Sequence, residues 1–202
     1  MKDVRQIIQA GQEVLRVQAQ ELSREEILSE STRELIEHMK ETMRHAPGVG
    51  LAAPQVGISQ QLAVIEDREE YQKKLTAEQL AERQRHPVPF HVIINPRIVS
   101  SDSISLEFFE GCLSVAGYSA LVPRARAVRV EYLNELGEAK KVHAIGWYAR
   151  ILQHEIDHLN GVLYVDRMRT RSLATIENYM RYLRHATPEE LRAALGIPAE
   201  DY

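Results

Sequence analysis

His154-Glu155-Ile156-Asp157-His158 carries the strongest chemical signal in this chain. Two histidines four residues apart on a helix stand about one turn apart on the same face, close enough to hold one metal ion. Glu155 is one step round from His154, beside such an ion. Divalent metals take neutral imidazoles as ligands, and a carboxylate next to an acidified water can take its proton. H-E-x-x-H is a short pattern, and a surface helix with two chance histidines also satisfies it. Two histidines do not fill a site, so another part of the chain must supply a third ligand.

Around this stretch, 147–159 reads as one helix, with Trp147, Ile151 and His154 on one face and Asn160-Gly161 as its C-cap. Three sources for the third ligand follow. A metzincin-like continuation has Gly161 where glycine is wanted, but Tyr164 stands at the ligand position, so that reading fails. A thermolysin-like glutamate on a later helix is available in Glu177. Cys112, the single cysteine, is available as a thiolate from across the fold. A lone cysteine more often packs as a small buried hydrophobe.

The whole chain sets bounds on these readings. Its 202 residues suit one domain, and 44% hydrophobic with 27% charged residues is a globular balance. A net charge of −4 argues against a general nucleic-acid-binding surface. One cysteine allows no intramolecular disulfide, which fits a reducing compartment. Residues 1–20 show no apolar signal core and no visible transit peptide, and no stretch is apolar enough to span a bilayer; a cytoplasmic location is expected, with an organelle as the alternative.

Outward from the histidines the chain reads as mixed. Ser31-x-x-Glu34 has the form of a capping box ahead of an amphipathic helix over 32–45, ended by Pro47-Gly48. Strands are expected at 62–65, at 91–94 (stopped by Asn95-Pro96), at 98–99 and at 103–109. Two more, 128–133 and 140–145, flank the hairpin signal Asn134-Glu135-Leu136-Gly137. The charged, Gln-rich stretch 66–89 reads as a solvated excursion with at most one helix. Past Asp166 the composition shifts: 174–184 reads as helical. Thr187-Pro188-Glu189-Glu190 opens a further helix that Gly196-Ile197-Pro198 stops.

Gly50-Leu51-Ala52-Ala53-Pro54-Gln55, Glu110-Gly111-Cys112-Leu113-Ser114 and Gln153-His154-Glu155-Ile156-Asp157-His158 match, in order, the three signature motifs of peptide deformylase. Three ordered motifs are far more specific than one. The resemblance runs over about 4–168. Ser114-Val115-Ala116-Gly117-Tyr118 and Gly146-Trp147-Tyr148-Ala149-Arg150-Ile151-Leu152-Gln153 look more like the organellar-type branch than the enterobacterial one. The implied fold is α+β, antiparallel strands wrapped around a central helix carrying H-E-x-x-H, with a catalytic domain at 1–168 and a C-terminal helical tail at 169–202.

The resemblance implies Cys112, His154 and His158 as metal ligands, typically for Fe2+, with Zn2+, Ni2+ or Co2+ able to substitute. It implies Glu155 as the acid–base group. The Leu113 backbone N–H and the Gln55 side-chain amide would stabilise the formyl oxyanion. Gly50 and Glu110 would line or support the substrate cleft, and Asp157 would be structural. The implied substrates are N-formyl-methionyl nascent peptides, without membrane or sequence-specific nucleic-acid partners. Arg150 departs from the enterobacterial form, where an apolar residue lies near the methionine pocket. Residues 167–184 hold five arginines and one acidic residue, so docking near ribosomal RNA is one expectation for the tail and a solvated helix face the other.

Overall fold

The computed structural model describes residues 4–73 and 75–197. An N-terminal arm leads into α1 (Arg24–Leu28) and α2 (Glu30–His45), followed by β1 (Gly50–Ala52) and β2 (Leu62–Asp67). Two short helices, α3 (Glu69–Gln72) and α4 (Ala77–Glu82), precede β3 (Val88–Ser101), β4 (Ser105–Cys112) and β5 (Val115–Ala125). The hairpin β6 (Ala127–Leu133) and β7 (Ala139–Ile145) delivers the chain to α5 (Gly146–Leu159). The tail holds β8 (Ala174–Thr175), α6 (Ile176–Asn178), a π turn at Tyr179–Leu183 and α7 (Pro188–Leu195).

The strands form two antiparallel sheets, β1-β2-β3-β6-β7 and β4-β5-β8. Period-2 alternation explains how the larger sheet is covered. Leu62, Val64, Val92 and Ile94 face one core with Met39 and Met43 of α2. Ala63, Ile65 and Ile93 face the other, with Leu152, Ile156 and Leu159 of α5. The central strands are therefore buried on both faces, and α5 touches both sheets. The class is α+β. Among the described residues, no helix is long and apolar enough to cross a membrane.

Several expectations change in physical detail. The cap of α2 is Ser29, whose hydroxyl accepts from Thr32 N, while Ser31 lies inside the helix. The capping box sits one helix earlier, where Ser23 and Glu26 bond reciprocally. Asn95-Pro96 does not stop β3. Asn95 takes φ +48° at a shift in the pairing register, and its side chain exchanges two hydrogen bonds with the Leu22 backbone. The strand therefore bulges and continues.

The 66–89 excursion forms two helices, and it is tied down. Arg85 forms a bidentate pair with buried Asp67 at 2.8 Å, and the Trp147 N–H donates to Arg83 O. Segment 174–184 is not one helix, because Ala174 and Thr175 pair with Ser119 and Tyr118 of β5. The turn to α7 is as read, and Gly196 closes that helix in the left-handed region. Pro198 lies outside the described residues.

Candidate metal centre and substrate cleft

The three quoted motifs meet at one point. β4 carries Glu110, Gly111 and Cys112 to its end, and α5 carries His154, Glu155 and His158. One donor atom from each of Cys112, His154 and His158 lies within 4.8 Å of the others. The Cys112 Sγ is 3.3 Å from His158 Nε2, and it also receives the Ser114 backbone N–H at 3.3 Å. Glu177 is exposed on α6 and lies outside this cluster.

Glu110 fixes the orientation of His154. Its Oε2 is 3.0 Å from His154 Nδ1, which leaves the other ring nitrogen turned toward the cluster. Burial alone would push the Glu110 carboxyl up. The bond to His154 and the Arg124 charge outweigh it and hold the group well below the usual carboxylate range. Burial also disfavours the imidazolium at both histidines. At His154, bonds to Cys112 and Glu110 outweigh burial and raise its pKa well above the ordinary value. At His158, the charges of His154 and Arg124 reinforce burial and depress it. A thiolate with two imidazoles is a donor set that soft or borderline cations favour. The residues fit a metal.

Glu155 is 3% exposed, and its Oε2 has no protein partner. Burial pushes its carboxyl up to about 7, against the pull of positive charge at His154. Gly50 of β1 passes directly over it: a Cβ there would stand 2.2 Å from Glu155 Oε1. Gln55 is buried on the 3-10 turn Ala53–Val56. Its Oε1 accepts from Ala52 N at 2.9 Å, which aims its Nε2 at Ser114 Oγ (3.2 Å) and Cys112 Sγ (3.5 Å). The N-terminal arm clasps both sides of this corner: Ile8 N donates to Gln55 O, and Gln9 Nε2 donates to Leu113 O.

Beside the cluster lies a cleft of about 320 Å³. Val49, Phe109, Leu113, Trp147 and Ile151 give it apolar walls, with Cys112, His154 and Glu155 at its polar end. Ile176 from the tail and Tyr118 also reach it. Arg150 lines it too, with its guanidinium turned inward to the protein. Arg124, Ser114 and Gln9 carry contacts here that the sequence does not announce; Ser114 stands out in it only as the last residue of the Glu110 to Ser114 motif. Arg124 lies in a strand the sequence does not announce, and Gln9 in an arm without pattern.

Comparison with known proteins points to one family. A model of the polypeptide deformylase family matches residues 4–173. "Peptide deformylase 1A, chloroplastic" of Solanum lycopersicum is 48% identical over 172 residues, covering 85% of this chain and 62% of the relative. "Peptide deformylase 1A, chloroplastic/mitochondrial" of Arabidopsis thaliana is 42% identical over 176 residues, covering 87% of this chain and 65% of the relative. The chain therefore spans less than two-thirds of the length of either plant protein. A Met-Ala-Ser-bound crystal structure of class I type b peptide deformylase from Acinetobacter baumannii superposes with a TM-score of 0.74 at 34% identity, covering 83% of this chain and 100% of that one. With a family model spanning most of the chain and its three motifs converging on one cleft, the chain belongs to the polypeptide deformylase family.

Proposed function

We propose that this chain is a metal-dependent hydrolase that removes the formyl group from the N-terminal formyl-methionine of nascent polypeptides, releasing formate and a free amine. One observation carries the reading: Cys112, His154 and His158 converge at the polar end of an apolar cleft, with the buried carboxylate of Glu155 beside them. Cys112, His154 and His158 would hold the cation, Fe2+ by preference, with Zn2+, Ni2+ or Co2+ able to substitute. When bound, that cation supplies a Lewis acid and acidifies a water.

Glu155 takes a proton from the attacking water and delivers it to the departing amine nitrogen, so that water and the formamide become formate and amine. Negative charge grows on the formyl oxygen as the carbonyl carbon is attacked. The Leu113 N–H and Gln55 Nε2–H donate to that oxygen. The Ala52 bond to Gln55 Oε1 supports this role, because it leaves the amide only its donor end for the cleft. Gly50 leaves space for Glu155, and Glu110 holds His154. The apolar walls suit a methionine side chain. The Met-Ala-Ser peptide in the Acinetobacter structure is consistent with a peptide substrate.

The catalytic unit is taken as 1–168 and the helical tail as 169–202, with Ile176 of the tail lining the cleft. The tail would dock near ribosomal RNA through its basic segment, with Arg181 and Arg184 as the contacts. We assign a cytoplasmic location; the organellar names of the plant relatives mark the alternative. The test is formate release from formyl-Met-Ala by anaerobically purified protein with its metal content measured. Turnover proportional to bound metal supports the function, and metal-loaded protein without turnover refutes it.

A further inference from the structure

Arg150 is 4% exposed, an unusual place for a guanidinium, and it stands four residues before His154 on α5. That spacing puts the two on one helix face. Its Nη1 donates to Glu110 Oε1 at 2.6 Å and to Val122 O at 2.9 Å, and its Nη2 donates to Leu106 O at 2.5 Å. Leu106 and Glu110 belong to β4, and Val122 belongs to β5. The guanidinium centre also lies 5.2 Å from the Phe108 ring centroid. A single side chain thus binds the helix that carries both histidines to the strand that carries Cys112, two residues beyond Glu110.

Glu110 shows why this link bears on the candidate metal centre. Arg124 grips both of its oxygens at 3.1 Å from the β5 side. Arg150 adds a shorter bond to Oε1, while Oε2, shared with Arg124, meets His154 Nδ1. We propose that Arg150 is a positioning residue of this centre: by tying α5 to β4 and β5 through Glu110, Leu106 and Val122, it fixes the spacing of Cys112 against His154 and His158. Cation affinity depends on that spacing. The inference rests on reading Cys112, His154 and His158 as a metal site. Lysine cannot replace the fork, because one ammonium does not meet three acceptors spread over two strands in a plane. Methionine fills similar space, and exchange of a buried charge for an apolar group is often tolerated in folding.

The experiment titrates metal-stripped wild type, R150M, R150K and D67N with Co(II) alone. It records affinity by chelator competition, the visible Co(II) absorption bands, and the melting temperature. D67N is the control, since it breaks the buried Arg85–Asp67 pair, which shares no residue with the cluster or with Glu110. Removing such a supporting contact should weaken Co(II) binding about 10- to 100-fold in R150M, with shifted bands. R150K should show a smaller loss of the same kind. D67N should melt lower yet bind Co(II) as wild type does. Wild-type affinity and bands in R150M, or in R150K should R150M not fold, would overturn the proposal. So would an equal loss of affinity in D67N. Wild type that binds no stoichiometric Co(II) would instead overturn the metal reading itself.

Discussion

At the scale of single residues, Glu155 and Gln55 act at different moments and can be separated. E155Q keeps the size and the three ligands but cannot accept a proton. Its kcat should fall by about 10²- to 10⁴-fold with metal content unchanged; metal analysis alongside formate release measures both, and wild-type kcat would remove the assigned role. Q55L loses a donor needed most when charge is on the formyl oxygen. It should lower kcat by about 10²-fold or more with a smaller effect on KM. A pure KM effect would make Gln55 a ground-state binder. Much of this site is legible in sequence because its chemistry lies in three contiguous motifs. The residues that hold it are not legible. Arg124, Arg150 and Gln9 act through contacts 14 to 104 positions away in the chain, and nothing near them in sequence records those contacts.

At the scale of elements, α5 and the β6–β7 hairpin can be read because their signals are local. These are one apolar helix face, the Asn160-Gly161 stop with Gly161 at φ +73°, and the Asn134 to Gly137 turn. β5 cannot be read: Gly117, Ser119 and Pro123 mask its alternation, and its identity comes from pairing with β4. β3 runs past Asn95-Pro96 for the same kind of reason, a distant bond to Leu22. Within β3, His91 sits between Pro89 O at its Nδ1 (2.9 Å) and the Tyr148 hydroxyl at its Nε2 (2.9 Å). Burial lowers its pKa, against the Pro89 bond and the Glu135 charge. A histidine whose folded pKa is depressed binds more protons unfolded. Its contribution is present above the unfolded value of about 6.5 and is lost as pH falls through the folded one. H91Q should therefore flatten the fall in melting temperature between about pH 7 and pH 5. An unchanged slope would mean His91 does not titrate on unfolding.

At the scale of the whole molecule, the tail is knitted to the body. Arg169 and Arg192 pair with Glu107, and Leu191 and Ile197 pack on Leu121. Deleting it would expose that core, so charge reversal is the cleaner probe of ribosome docking. R181E/R184E should weaken co-sedimentation with ribosomes in a salt-dependent way and spare turnover of short formyl peptides; unchanged co-sedimentation counts against docking. The metal centre stands or falls on the identity of its third ligand. C112A removes a soft, charged donor from the cluster, whereas E177A alters an exposed residue outside it. The decisive measurement is metal per chain, with formyl-Met-Ala turnover, for both variants purified anaerobically side by side. C112A should lose metal or activity, and E177A should keep both. A C112A protein with a full equivalent of metal and full turnover, beside an empty E177A, would contradict the account.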